Sequence, residues 1–161
     1  MYPHPGSANP SVTTNTAMTP TQLCVLIVED DEDDFGFLRD DLLTLVDWSY
    51  TIDWALSVED ALEKLHNRKY DLCFLDYHLG AYTGHVLLNT IPASGLVPPF
   101  VMLTGVDDGH TDARSIAAGA ADYLVKGKYD TALLARTIRL ALARKHRELQ
   151  QGEAYVWSPA E

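Results

Sequence analysis

The chain has 161 residues, of which 47% are hydrophobic and 22% are charged, and this composition fits one compact domain with short tails. Its net charge of -11, from 23 acidic and 12 basic residues, argues against a basic surface that covers the protein and binds nucleic acid. No apolar run approaches the roughly 20 residues that span a bilayer. We therefore expect neither a nucleic-acid partner nor a membrane-embedded segment.

The two ends of the chain have the composition of tails. The first twenty residues include four prolines, and they contain no Lys, no Arg and no apolar run of the kind found in a secretory signal. We predict a disordered leader at 1–21, one domain at 22–148 and a C-terminal tail at 149–161.

The two cysteines, Cys24 and Cys73, both lie inside apolar runs. Their spacing matches no zinc or disulfide pattern, so we interpret them as small core residues in a reducing environment. We therefore expect a cytoplasmic protein.

The first half of the chain alternates strand and helix patterns. Leu23–Val28 is continuously apolar, which is typical of a central parallel strand covered on both faces. The helix that follows has one buried face, predicted to consist of Phe35, Leu38, Leu42 and Val46. Tyr50–Ala55 alternates polar and apolar residues as an edge strand does. Ser57 and Asp60 then predict the start of a helix that ends near Asn67.

The second half continues this alternation. The predicted elements are a strand at Leu72–Asp76, a short helix at Val86–Ile91, a strand at Phe100–Leu103, a helix at Asp112–Ala118, a strand at Asp122–Val125 and a long final helix. Gly80 and Gly84 mark a loop, Pro92 and Gly95 close the short helix, and Gly119 stops the next one. The final helix has a predicted apolar stripe of Leu133, Leu134, Thr137, Ile138 and Ala141.

Five strands that alternate with five helices predict an α/β fold with a doubly wound, five-stranded parallel sheet and helices on both faces. In such a sheet the functional site lies at the carboxyl ends of the strands. Polar side chains stand at four of these ends: Glu29 and Asp30, Asp76, Thr104, and Lys126. The sequence therefore predicts an acidic pocket with one cationic neighbour at this edge.

These residue types fit phosphoryl transfer. Mg²⁺ is bound by one or two carboxylates together with waters and a phosphate. An aspartate beside that ion, Asp76, can act as a nucleophile toward a phosphoryl group, while Lys126 neutralises charge on the transferred oxygens. The hydroxyl of Thr104 would donate a hydrogen bond to one of those oxygens.

Glu29 to Asp34 are six consecutive acids, and such a run is commonly a solvated face that also suits the start of a helix. We assign that interpretation to Asp31–Asp34, because only Glu29 and Asp30 emerge directly from the buried strand. A calcium-binding EF-hand fits poorly: with Asp30 first, the required glycine is Phe35 and the twelfth residue is Asp41 rather than Glu.

The sequence resembles the receiver domains of two-component response regulators, and most closely a single-domain, chemotaxis-regulator-like receiver. The matching residues are Val28-Glu29-Asp30, Leu75-Asp76, Gly84, Leu103-Thr104-Gly105 and Asp122 to Lys126. The resemblance covers about Leu23 to Arg147. It implies a flavodoxin-like sheet with the strand order 2-1-3-4-5 and a protein that signals by binding rather than an enzyme, beyond its own phosphorylation and dephosphorylation.

The resemblance also implies roles for individual residues. Asp76 would be the phosphoacceptor, phosphorylated by a histidine kinase or a histidine phosphotransfer protein. The implied Mg²⁺ ligands are Glu29, Asp30, Asp76 and the backbone carbonyl of His78. Thr104 and Tyr123 would form a switch pair, and Lys126 would contact the phosphoryl group. We expect the output to be an unknown protein partner or a homodimer, each bound through the face at 112–147.

Two residues depart from the pattern of the family. Gly80 and Gly127 stand where receivers usually carry proline. Because a cis peptide bond before a residue other than proline costs about 2.5–4 kcal/mol, we expect the Lys126–Gly127 bond to be trans.

Three other interpretations compete with the single-domain receiver. A pseudo-receiver that is not phosphorylated would be expected to lack Asp76, Lys126 or Asp30, and all three are present. The chain could also be the amino-terminal receiver of a larger sensor or signalling protein. A phosphatase that uses Asp76 as nucleophile is disfavoured, because the position two residues on, where a second acid would stand, is His78.

Overall fold

The structure is a computed structural model that describes residues 19–91, 97–105 and 111–152. Its strands are β1 (Thr21–Val28), β2 (Trp48–Ala55), β3 (Leu72–Asp76), β4 (His78–Leu79), β5 (Tyr82–Thr83), β6 (Phe100–Thr104) and β7 (Asp122–Val125). Its helices are α1 (Glu32–Thr44), α2 (Val58–Asn67), α3 (Gly84–Thr90), α4 (Thr111–Ala117) and α5 (Thr131–Gly152). No helix within these described ranges is both long and apolar enough to cross a membrane.

Five strands form one parallel sheet in the order β2-β1-β3-β6-β7. Counted along this sheet alone, the order is 2-1-3-4-5, which confirms the predicted flavodoxin-like fold. The sequence did not predict β4 and β5, which pair as a small antiparallel hairpin. Each of these two strands has only two residues, too few for a period-2 pattern to emerge.

The sheet separates two buried clusters. Along β1, Val25 and Ile27 contribute to one cluster, while Leu26 and Val28 contribute to the other. A strand that is buried on both faces needs apolar residues at every position, which explains the continuous run in β1. At the sheet's edge β2 is mostly half-buried, which confirms its prediction as an edge strand.

Helix α1 begins at an acid of the six-residue run. The carboxylate of Asp31 accepts a hydrogen bond from the backbone N–H of Asp34, and Asp31 is therefore the N-cap. The predicted burial of Leu38 and Leu42 is confirmed. The prediction for Val46 is wrong, because the helix ends at Thr44 and leaves Val46 81% exposed.

The final helix, α5, is buried along Leu134, Thr137, Ile138 and Ala141, as predicted. Leu133 was wrongly placed in this stripe and is 42% exposed. It lies about 100° around the helix from Leu134, which takes it past the edge of the buried face.

The predicted domain limits differ slightly from the ends of the outer elements. Strand β1 starts at Thr21, the last residue of the predicted leader, and α5 continues to Gly152, beyond the predicted limit at 148. Of the two predicted tails, residues 1–18 and 153–161 lie outside the described residues.

Several predicted helix boundaries are confirmed. Ser57 accepts a hydrogen bond from the N–H of Asp60 and caps α2, and Gly119 follows α4 with a φ of 110°. Helix α3 begins at Gly84, two residues before the predicted start. Pro92 and Gly95 lie outside the described residues.

Candidate active site at the carboxyl edge of the sheet

The sheet register brings the predicted strand tips together. Asp76 pairs with Leu103 of the next strand, and Thr104 pairs with Val125. Glu29 follows β1 and Lys126 follows β7, so all four polar tips lie at the carboxyl edge. Glu29 and Asp76 are only 1% and 3% exposed.

The ammonium group of Lys126 joins three acids. Its Nζ lies 2.8 Å from Glu29 Oε2, 2.8 Å from Asp34 Oδ2 and 3.0 Å from Asp76 Oδ2. Burial favours the neutral amine, but hydrogen bonds to Asp34 and Glu29 and the charge of Asp76 outweigh it and raise the pKa of Lys126. Lys126 is therefore a fixed positive charge beside the carboxylate of Asp76.

Three carboxylates form a group that suits a divalent ion. Glu29, Asp30 and Asp76 each offer one oxygen, and these three oxygens lie within 4.8 Å of one another. Burial, helped by the neighbouring Asp76 and opposed by Lys126, raises the pKa of Glu29 above its usual range. Asp30 is exposed, so water can complete an all-oxygen coordination shell of the kind that Mg²⁺ prefers.

Backbone groups and one indole hold these acids in place. The indole N–H of Trp54 donates to the backbone oxygen of Glu29 at 2.7 Å, and the N–H of Asp31 donates to Glu29 Oε1 at 3.1 Å. The N–H of Gly80 donates to Asp30 Oδ2 at 3.0 Å. The acids are therefore oriented before any ion binds, which lowers the ordering cost of binding.

The segment after β3 packs closely under the site. The N–H of Gly84 donates to the carbonyl oxygen of Tyr77 at 2.7 Å. A Cβ at Gly84 would lie 2.6 Å from the carbonyl oxygen of Asp76, a separation that real Cβ atoms essentially never show. Only glycine therefore allows α3 to start this close to the acid.

A cavity of about 430 Å³ opens above these groups. It is lined by Glu29, Asp30, Asp31, Asp34, Asp76, His78, Gly80, Gly105 and Lys126. His78 therefore lies beside the acids, and its N–H donates to Asp76 Oδ1 at 3.3 Å. The cavity has room for a hydrated ion and a phosphoryl group together.

The two predicted switch residues lie just outside this cavity. Thr104 is buried, and its hydroxyl donates to the carbonyl oxygen of Leu124 at 3.5 Å, across to β7. Tyr123 is half-buried and packs on the cluster that contains Met102. The two residues lie on neighbouring strands, so a movement of the Thr104 hydroxyl would change the surroundings of β7.

Sequence reasoning missed Asp34. It was assigned to a solvated face, whereas its carboxylate contacts Lys126 and lines the cavity. A signal was available, because Asp34 stands four and eight residues before the buried Leu38 and Leu42 and therefore shares their inward face.

Comparison with known protein families agrees with the resemblance that the sequence motifs carry. The family model for the response regulator receiver domain matches residues 25–138, well over half of the chain. This chain belongs to that family.

Relatives of this receiver domain include longer proteins. It is 30% identical over 129 residues to the transcriptional regulatory protein ZraR of Escherichia coli O157:H7, covering 80% of this chain and 28% of ZraR. It is 32% identical over 116 residues to the transcriptional regulatory protein DltR of Streptococcus agalactiae, covering 72% of this chain and 50% of DltR. The chain thus spans half or less of the length of these curated relatives.

Solved structures of receiver domains have the same fold. The signal receiver domain of an HD domain-containing protein from Pseudomonas fluorescens Pf-5 is 27% identical with a TM-score of 0.67, and the match covers 86% of this chain and 98% of that one. A two-component response regulator from Clostridium difficile is 27% identical with a TM-score of 0.64, and the match covers 76% and 98%.

Proposed function

We propose that this receiver domain accepts a phosphoryl group on Asp76 in a reaction that requires Mg²⁺. The observation that carries the proposal is the position of the Asp76 carboxylate, 3.0 Å from Lys126 Nζ and grouped with the carboxylates of Glu29 and Asp30. The phosphoryl donor is a phosphohistidine of a kinase or of a phosphotransfer protein.

In the proposed reaction a carboxylate oxygen of Asp76 attacks phosphorus in line with the bond to the donor. A P–O bond forms, the donor's P–N bond breaks, and the imidazole nitrogen leaves with its electron pair and takes a proton from water. Lys126 stabilises charge on the transferred oxygens, and Thr104 donates a hydrogen bond once its hydroxyl turns from Leu124. Mg²⁺, bound by Glu29, Asp30, Asp76 and the carbonyl of His78, would neutralise further charge on the phosphoryl group.

The proposed output is a change in protein binding. Between β7 and α5 a groove of about 380 Å³ is lined in part by Tyr129, Leu133, Arg136 and Leu140. Leu133 and Leu140 are 42% and 51% exposed. This groove, which Tyr123 also lines, combines exposed leucines with charged side chains. It can bind a partner or a second copy of the chain, and phosphorylation would change that affinity.

The proposed output surface between β7 and α5 can be tested by solution NMR. Addition of beryllofluoride, which mimics the phosphoryl group, should shift amide signals along β7 and α5 as well as around Asp76. If the shifts are confined to the loops around Asp76 and residues 112–140 stay silent, this face is not the output surface.

A second candidate is that the receiver acts within a longer regulator. The lengths of its curated relatives favour this candidate, because the match covers only 28% of ZraR and 50% of DltR.

A pseudo-receiver is less consistent with the site, because Asp30, Asp76 and Lys126 are all present and grouped. The two free thiols, Cys24 and Cys73, support a reducing, cytoplasmic setting.

The direct test is incubation with a small phosphodonor, with and without Mg²⁺, followed by intact mass measurement. We expect one added phosphoryl group that requires Mg²⁺ and is lost in Asp76→Asn. Asp33→Asn is the matched control, because Asp33 is an exposed acid of the same run, and it should still be phosphorylated. Labelling that persists in Asp76→Asn would contradict the proposal.

A further inference from the structure

The loop from β7 to α5 carries Lys126 but has a flexible residue next to it. Gly127 is exposed, has a φ of 71°, and would find no atom within 4 Å of an added Cβ. Glycine has the largest backbone freedom of any residue, and proline, whose φ is near -65°, could not adopt this conformation. The bond before Gly127 is trans, as predicted, since the described residues contain no cis peptide bond. The position of the loop must therefore be set by other contacts.

Backbone hydrogen bonds hold the two ends of this loop. The N–H of Lys126 donates to the carbonyl oxygen of Thr104 at 2.8 Å, and the N–H of Lys128 donates to that of Val125 at 3.0 Å. At the other end, the N–H of Leu134 donates to the carbonyl oxygen of Asp130 at 3.0 Å, where α5 begins. None of these three bonds joins the loop to α1, and that contact is made by side chains.

Tyr129 supplies a contact on the far side of Gly127. Its hydroxyl donates to Asp41 Oδ2 on α1 at 3.1 Å, and its half-buried ring packs on the core cluster that contains Leu38. Burial, the charge of Asp41 and this hydrogen bond raise the pKa of Tyr129. The hydroxyl therefore stays protonated and remains a donor at neutral pH.

The same face of α1 holds Lys126. Asp34 and Asp41 are seven residues apart, close to two helical turns, and therefore project from one side of the helix. Asp34 contacts Lys126 Nζ at 2.8 Å, and Asp41 accepts from Tyr129. Helix α1 thus contacts the loop on both sides of Gly127.

We propose that Tyr129 is a positioning residue for phosphoryl transfer: its hydrogen bond to Asp41 fixes the loop so that the Lys126 ammonium lies where the phosphoryl oxygens arrive. Tyr129 does not line the acidic cavity and acts only through Lys126. This inference rests on the proposed phosphorylation of Asp76.

The test compares two ligands of one site. Tyr129→Phe removes only the hydroxyl and should weaken beryllofluoride binding by about three- to tenfold, the range for one lost hydrogen bond. Mg²⁺ affinity should change less than beryllofluoride affinity, because Tyr129 reaches the ion's proposed ligands, Glu29, Asp30, Asp76 and His78, only through Lys126. Tyr50→Phe is the matched control, since Tyr50 is also a half-buried tyrosine that packs on the same cluster and donates to a backbone oxygen.

Two further variants separate positioning from general stabilisation. Asp41→Ala should reproduce the split between the two ligands, because it removes the acceptor of the same bond. In a Lys126→Met background, Tyr129→Phe should have no additional effect on beryllofluoride affinity.

The outcomes distinguish this inference from the proposed function. Equal losses of Mg²⁺ and beryllofluoride affinity, no loss at all, or an undiminished effect in the Lys126→Met background would overturn the role of Tyr129 alone. If the wild-type chain binds no beryllofluoride and accepts no phosphoryl group, the proposed function fails, and the role of Tyr129 fails with it.

Discussion

Glu29 is the residue at which burial and charge compete most directly. Burial and the neighbouring Asp76 favour its neutral form, Lys126 favours its charged form, and the net result is a raised pKa. A metal ion binds only the ionised carboxylate, so the proton must leave Glu29 before or as the ion binds. Mg²⁺ affinity should therefore increase with pH.

This increase should continue above about pH 6, where a glutamate with the ordinary pKa of about 4.3 is already ionised. The slope should reach at most about tenfold per pH unit, the limit for one released proton. The fluorescence of Trp54, whose indole contacts Glu29, provides a titration signal, with Trp54→Phe to identify it.

Glu29→Gln should flatten this pH dependence. His78→Ala is the control, because His78 is a histidine that lines the same cavity. A wild-type affinity that is constant above about pH 6, or a slope that disappears in His78→Ala and persists in Glu29→Gln, would contradict this account.

The close packing of Gly84 against the backbone of Asp76 can be tested by substitution. Gly84→Ala places a methyl group 2.6 Å from the carbonyl oxygen of Asp76, so we expect a loss of about 1–3 kcal/mol in the free energy of unfolding. Gly36→Ala is the control, because Gly36 lies inside α1 with nothing within 4 Å of an added Cβ. It should gain about 0.5–1 kcal/mol. Urea unfolding measures both, and equal effects would refute the close approach.

At the scale of elements, α1 gives different roles to neighbouring acids. Asp31 caps the helix, Asp34 contacts Lys126, and Asp41 accepts from Tyr129. Asp33 is exposed, and its charge interacts favourably with the positive end of the helix dipole in the first turn of α1. The six-residue acidic run is therefore part of the site at some positions and a solvated face at others.

This division predicts unequal effects on metal binding. Asp30→Asn removes a charge from the three-carboxylate group and should weaken Mg²⁺ binding at least about tenfold. Asp33→Asn should change it less than about twofold, because an exposed charge outside the group is screened by solvent. Isothermal titration calorimetry measures both constants. Similar losses would mean that the acidic run acts only through its total charge.

For the whole molecule, the sequence was sufficient to predict the sheet and the polar strand tips. The runs in β1 and β3 are continuously apolar because both faces are covered, and the alternation with helices then requires a parallel sheet. The same rule places Asp76, Thr104 and Lys126 at one edge. These features depend on local patterns that repeat along the chain.

The rest depends on contacts between distant segments. The bond of Tyr129 to Asp41 joins residues 88 apart, and no local pattern specifies such a pair. The small hairpin of β4 and β5, the end of α1 and the start of α3 were missed for a related reason: short elements and helix ends depend on capping and loop contacts as much as on periodicity.

The most direct test of the central claim is chemical trapping of the phosphorylated residue. Borohydride reduces the acyl phosphate of an aspartate to homoserine, which peptide mass mapping locates. After incubation with a small phosphodonor and Mg²⁺, we predict homoserine at position 76 and none when either reagent is omitted. An unmodified Asp76, together with a stable phosphate on a Ser, Thr or Tyr residue, would contradict the account.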